Sequence, residues 1–235
     1  MAELVVALDY QDAESALTMA RELEGQVPWV KVGMELFTAE GPAIVQHLKN
    51  LDFNVFLDLK FHDIPNTVKG AVRSATRMGV DMVNIHALGG RRMAEGALEG
   101  RDMGLTPGQE PPIVLAVTVL TSVGPGDIPL KDAPEPGALA LDLAVKAKQY
   151  GLNGVVCSAL EARGIKASCG TGFSCLTPGI RPAAVAGDDQ RRVVTPAQAV
   201  QNGADYLVVG RPVTGAQDSR SAARAIMDEM HAALV

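Results

Sequence analysis

Aromatic side chains make up only 4% of this 235-residue chain. Its core must therefore be built from Val, Leu, Ile, Ala and Met, and the 47% hydrophobic content supplies them. Cysteine is scarce as well. Cys157, Cys169 and Cys175 are odd in number and lack paired spacing, which argues against a disulfide framework and against a four-thiolate zinc site. The four histidines, His47, His62, His86 and His231, are scattered, and no HxxxH or HxH spacing occurs. No apolar run approaches the roughly 18 residues that a membrane-spanning helix needs. The opening MAELVVALDY carries acids where a signal peptide has a basic region, and it has no long apolar stretch. A soluble, cytoplasmic chain without a membrane partner is expected. Positive charge is also in deficit. At a formal net charge of -6 and a pI near 5.2, the average field repels a free polyanion such as DNA. A small anionic ligand in a locally positive pocket remains possible.

Short β-branched apolar runs are plentiful, each followed by punctuation and then a helical pattern. They cover residues 4–9, 27–33, 55–60, 82–87, 113–120, 154–158, 173–179 and 206–212. They are too apolar for half-exposed strands and read as strands buried on both faces. Between them lie helix signals. Asp12 starts a helix carrying Ala16, Leu17, Ala20 and Leu23. Asn66 is placed to cap one in which Val68, Ala71, Val72 and Ala75 share a face, with Gly79 ending it. Thr195-Pro196-Ala197-Gln198 is a capping box with Pro at the first helical position, and Gly203 closes that helix. Eight strand–helix units in this length fit the (β/α)₈ TIM barrel, typically about 250 residues. A doubly wound open sheet is the alternative, but no GxGxxG follows the first strand. No linker or composition shift divides the chain, so 1–235 reads as one domain. The longest loops, 121–136 and 181–192, both follow strands and belong on the barrel's C-terminal face.

In such a barrel, chemistry sits at the C-terminal ends of strands. The polar residues there are Asp9, Lys31, Asp58, Lys60, His86, Thr121, Ser122, Ser158, Arg181 and Arg211. The loops after strands 7 and 8 hold TPGIRP (177–182) and VVGRPV (208–213). Each offers a glycine, which lets backbone N–H groups approach an anion, and an arginine that grips it. Phosphate commonly binds at these two loops of a barrel. Ordinary turn chemistry is the competing explanation.

The stretch FLDLKFHDIPNTV (56–68) sets three charges among core residues. Strand alternation puts Phe56, Asp58 and Lys60 on one face and Leu57, Leu59 and Phe61 on the other. The second face is purely apolar and suits helices, so Asp58 and Lys60 must point into the barrel near its top. Buried charges require partners, and Lys31 at the end of strand 2 is the candidate for Asp58. A structural ion cluster plugging the barrel is the plain alternative. Acids beside Lys60 favour its charged form, which disfavours a Schiff-base role and suits a fixed cation that also donates a proton. Decarboxylation and enolisation both fit. Asp58 and Asp63 suggest Mg²⁺, but the adjacent lysine opposes the ion. His62 reads as structural and His86 as a supporting group.

DLKFHDIPNTV (58–68) resembles the motif of the orotidine 5′-phosphate decarboxylase family in its compact bacterial form. The likeness extends to ALD (7–9), KVGMELF (31–37), DMVNIHALGG (81–90), VTVLTS (117–122), LTPGIRP (176–182), DDQRRVVTP (188–196) and VVGRPV (208–213). Related sugar-phosphate enzymes share the Asp-x-Lys-x-x-Asp skeleton but typically lack the Ile-Pro-x-Thr continuation. The resemblance implies conversion of orotidine 5′-monophosphate (OMP) to UMP and CO₂ without cofactor or metal. Lys60 would protonate C6 of the pyrimidine. Lys31, Asp58, Lys60 and Asp63 would form a tetrad of alternating charge. Asp63 and Thr67 would reach the other subunit's site across a homodimer interface. Asp9 and Lys31 would hold the ribose, and Thr121, with Ser122 nearby, the base. Gln190 and Arg211 would grip the phosphate, with Arg181 and the Gly210 backbone assisting. The loop at 123–136 has a sequence of its own.

Overall fold

Each of the eight apolar runs contributes one parallel strand to a closed barrel. The computed structural model describes residues 2–124, 126–128, 132, 134–182 and 193–233. Among them the elements run β1 (Glu3–Ala7), α1 (Ala13–Leu23), β2 (Trp29–Gly33), α2 (Met34–Glu40), α3 (Pro42–Lys49), β3 (Asn54–Phe61), α4 (Pro65–Arg77) and β4 (Met82–His86). Then follow α5 (Gly90–Gly104), β5 (Ile113–Val117), α6 (Pro136–Gln149), β6 (Gly154–Val156), α7 (Ala159–Cys169), β7 (Ser174–Thr177), α8 (Pro196–Gln201), β8 (Tyr206–Val209), α9 (Arg211–Thr214) and α10 (Ser219–Ala232). The strands pair in chain order, and β8 closes on β1 with Leu4 opposite Leu207 and Val6 opposite Val209. This is the TIM barrel, and the open-sheet alternative is excluded.

Alternation along the strands divides the core into two layers. Val5, Ala7, Trp29, Phe56, Met82, Leu115, Val117, Val156, Leu176 and Val208 fill the barrel interior. Their neighbours Leu4, Val6, Val30, Val32, Val55, Leu57, Val83 and Ile85 face outward and pack under the helices. All three cysteines are free and buried. Two predicted caps form. The Asp12 side chain accepts from the Ser15 N–H at 2.8 Å, and Thr195 with Gln198 makes the reciprocal capping box ahead of Pro196. Gly79 and Gly203 adopt the positive φ expected just past their helices. Asn66 is a correction. Pro65 takes the first position of α4, so Ile64 is the N-cap and Asn66 lies inside the first turn. The run at 113–120 also ends earlier as a strand, at Val117. No described helix is long and apolar enough to cross a membrane.

Candidate active site

A cavity of about 460 Å³ opens among the strand ends that carry Asp9, Lys31, Asp58 and Lys60. Thr121 and Ser122 line it after β5, Gly179 and Arg181 after β7, and Gly210 and Arg211 after β8. Val117, Val119, Leu120 and Pro178 give it an apolar wall. The alternation inferred from the sequence sets the directions. Lys31 lies between the outward Val30 and Val32, and Asp58 follows the outward Leu57. Leu59 and Phe61 pack against the outer core, as expected.

The charges form a chain with alternating sign. Lys31 Nζ donates to Asp9 Oδ1 at 2.8 Å and lies 3.5 Å from Asp58 Oδ2. Lys60 Nζ donates to Asp58 Oδ1 at 2.6 Å. Lys31 thus joins two acids, one of which is the partner expected for it. The Asp58 side chain is 13% exposed. Burial opposes its charge, yet Lys31, Lys60 and hydrogen bonds from Lys60 and Asn84 hold its carboxyl below the ordinary carboxylate value. Gly33 leaves room for this arrangement. A Cβ there would stand 2.9 Å from Lys31 Nζ and 3.2 Å from Asp9 Oδ1.

Asp63 and Thr67 stand apart from the cavity of their own chain. Both are exposed, and the Asp63 carboxylate accepts from the Ile64 N–H at 2.7 Å. Gly210 precedes α9, and an added Cβ there would meet Ala7 Cβ at 3.6 Å and Asp9 Oδ2 at 3.8 Å, ordinary contacts. Its missing side chain instead keeps the cavity wall open. Gly179 takes φ 77°, a conformation that glycine adopts without penalty. Arg181 is buried and donates to the Ile180 carbonyl at 2.9 Å. Gln190 lies outside the described residues, so its predicted contact to phosphate is not located.

Two features escaped the sequence reading. Asn84, fully buried on β4, bonds to both Asp58 and Lys60. Its signal was a lone amide inside the apolar run MVNIH. The second is a tilted pair of imidazoles, His62 and His86, with centroids 5.1 Å apart and ring planes at 32°. Burial first, then the charges of His62 and Lys60, push His86 below the usual histidine range, against the pull of Asp58. Among the described residues, no three His, Cys, Asp or Glu side chains converge to hold a metal ion.

The model of the orotidine 5′-phosphate decarboxylase / HUMPS family matches residues 2–226. The chain belongs to this family. A Maridesulfovibrio salexigens protein named orotidine 5′-phosphate decarboxylase is 59% identical over 231 residues, spanning 98% of this chain and 100% of that one. One from Nitratidesulfovibrio vulgaris is 59% identical over 233 residues, spanning 99% of each. The crystal structure of orotidine 5′-phosphate decarboxylase from Lactobacillus acidophilus superposes with a TM-score of 0.87 at 36% identity, covering 98% of this chain and 99% of that one.

Proposed function

We propose that Lys60 is the proton donor, and Lys31, Asp58 and Asp63 the fixed charges, in the decarboxylation of orotidine 5′-monophosphate. The overall reaction, OMP to UMP and CO₂, is the last step of de novo pyrimidine synthesis. The carboxylate–C6 bond breaks, CO₂ departs, and the electron pair stays on C6. The Lys60 ammonium stabilises that pair and gives C6 its proton, and the lysine then recovers a proton from water. C6 has no ring position that delocalises the charge well, so preorganised electrostatics carry much of the burden. The alternating chain Asp9–Lys31–Asp58–Lys60 is the observation that carries this reading. It sets an ammonium beside a carboxylate that keeps its charge, at the mouth of a cavity.

Asp9 and Lys31 hold the ribose, and Thr121 and Ser122 meet the base. Arg211, Arg181, Gln190 and the Gly210 backbone take the phosphate, whose remote binding energy lowers the barrier. Asp63 and Thr67 serve the partner subunit's site in a homodimer. Their exposure outside their own cavity supports this. So do the exposed Met34, Ile64 and Leu88, which follow β2, β3 and β4. Residues 1–235 act as one cytoplasmic decarboxylase domain without cofactor, metal or nucleic-acid partner. The test is direct. Lys60→Ala is expected to lower CO₂ release from OMP by at least about 10⁴-fold with the fold intact by circular dichroism. Near-normal turnover would sink the assignment. Wild-type turnover is expected to be indifferent to EDTA.

A further inference from the structure

The barrel wall is irregular beside Lys60. Leu57 pairs with Val83, but the next partners are Phe61 and Ile85. Asp58, Leu59 and Lys60 therefore face a single residue of β4, Asn84. The backbone ladder is interrupted over that span, and Lys60 takes φ 52°, in the left-handed region that disfavours a lysine. The Asn84 side chain takes over the missing ladder contacts. Its Oδ1 accepts the Lys60 backbone N–H at 2.8 Å, and its Nδ2 donates to Asp58 Oδ1 at 2.7 Å. Chemistry fixes which way the amide faces, because a backbone N–H only donates and an ionised carboxylate only accepts. The same Asp58 Oδ1 receives the Lys60 ammonium at 2.6 Å. One buried amide thus fixes both ends of Lys60, the backbone directly and the ammonium through Asp58.

We propose that Asn84 is a positioning residue for the reaction, holding Lys60 in its bulged backbone and Asp58 in the orientation that aims the ammonium at the reacting carbon. This rests on Lys60 being the proton donor. Asn84 is 0% exposed and does not line the cavity, so it acts only through these two residues. Without it, the half-buried Lys60 N–H loses its partner and Lys60 relaxes towards ordinary strand geometry, carrying the ammonium away. Misplacement by about 1 Å is enough to cost on the order of 100-fold in rate.

The isosteric Asn84→Asp variant separates positioning from mere filling of the bulge. As a carboxylate, the new side chain still accepts from Lys60 N–H but repels Asp58. Once protonated, it donates an O–H to Asp58 and matches the amide again. The ionisable groups around this spot are Asp58 and Lys60 on β3, His62 beyond it, Lys31 on β2 and His86 on β4. The ratio of variant to wild-type kcat removes their common titration. That ratio is expected to climb as pH falls from about 8 to about 6. Asn84→Ala is expected to lower kcat by about 10- to 100-fold, with KM changed less than about threefold and no comparable rise at low pH. Melting curves monitor folding. Should the Ala variant not fold, the Asp variant still decides. An Asn84→Asp enzyme with wild-type kcat across the range overturns the inference, as does a defect confined to KM. If Lys60→Ala is dead while both Asn84 variants turn over normally, only this inference falls. If Lys60→Ala is active, the reading beneath it falls as well.

Discussion

Asp58 and His86 stand close together and meet burial in opposite ways. Asp58 keeps its charge because two ammonium groups and an amide surround it. At His86, burial first and then the charges of His62 and Lys60 push the imidazole below its ordinary value, against the pull of Asp58. The consequence for stability follows from proton counting. The unfolded chain binds a proton at His86 near the ordinary value of 6.5, whereas the folded chain resists until a lower pH. Stability from this group is fully present above that value and is lost as pH falls through it towards the folded value. The midpoint of thermal unfolding is therefore expected to drop between about pH 7.5 and about pH 5.5, and less steeply in His86→Asn. Equal slopes would show that His86 is not the group responsible. At this scale the sequence made the charges legible, because Lys31, Asp58 and Lys60 interrupt runs that are otherwise apolar. Asn84 interrupts one too. Its role depends on the β3–β4 register, which brings together residues far apart in the chain and leaves no local trace.

Helices α4 and α5 approach closely along Gly96, Gly100 and Gly104, spaced by four. A Cβ at Gly100 would fall 2.2 Å from the Lys69 carbonyl oxygen, and one at Gly96 would lie 2.9 Å from that of Pro65. These are backbone atoms, so the contact yields only if a helix moves. Gly100→Ala is expected to destabilise by on the order of 3 kcal/mol in denaturant titrations. Gly164, exposed inside α7 with nothing within 4 Å, is the contrast. There Gly→Ala should add about 1 kcal/mol of helix propensity. An equal response at both sites would contradict close packing as the cause. All eight strands were readable from β-branched runs, because a strand buried on both faces has no polar register to hide it. The end of α4 was readable from Gly79, but its start was misread. Asn66 has the right chemistry for a cap, yet Pro65 fits the first helical position and moves the boundary back to Ile64. The glycine seam went unread, because helix separation is a tertiary quantity.

Over the whole molecule, the proposed homodimer makes each site a joint product of two chains. Lys60→Ala and Asp63→Ala proteins, each inactive alone, are expected to regain about a quarter of wild-type activity when mixed equally and allowed to exchange subunits. Half the dimers would then be mixed, and each mixed dimer carries one intact site. Silence after proven exchange would place Asp63 in its own subunit's chemistry. Closure of the barrel has a temporal consequence of its own. The Asp9 carboxylate, at the end of the first strand, sits 3.8 Å from the Cβ position of Gly210, just after the last. The proposed ribose and phosphate contacts at Asp9 and Gly210 thus come together at the seam where β8 zips onto β1. A ribosome must pass Val209 before that seam exists, so the closed barrel is the earliest species in which Asp9 and Gly210 line one cavity.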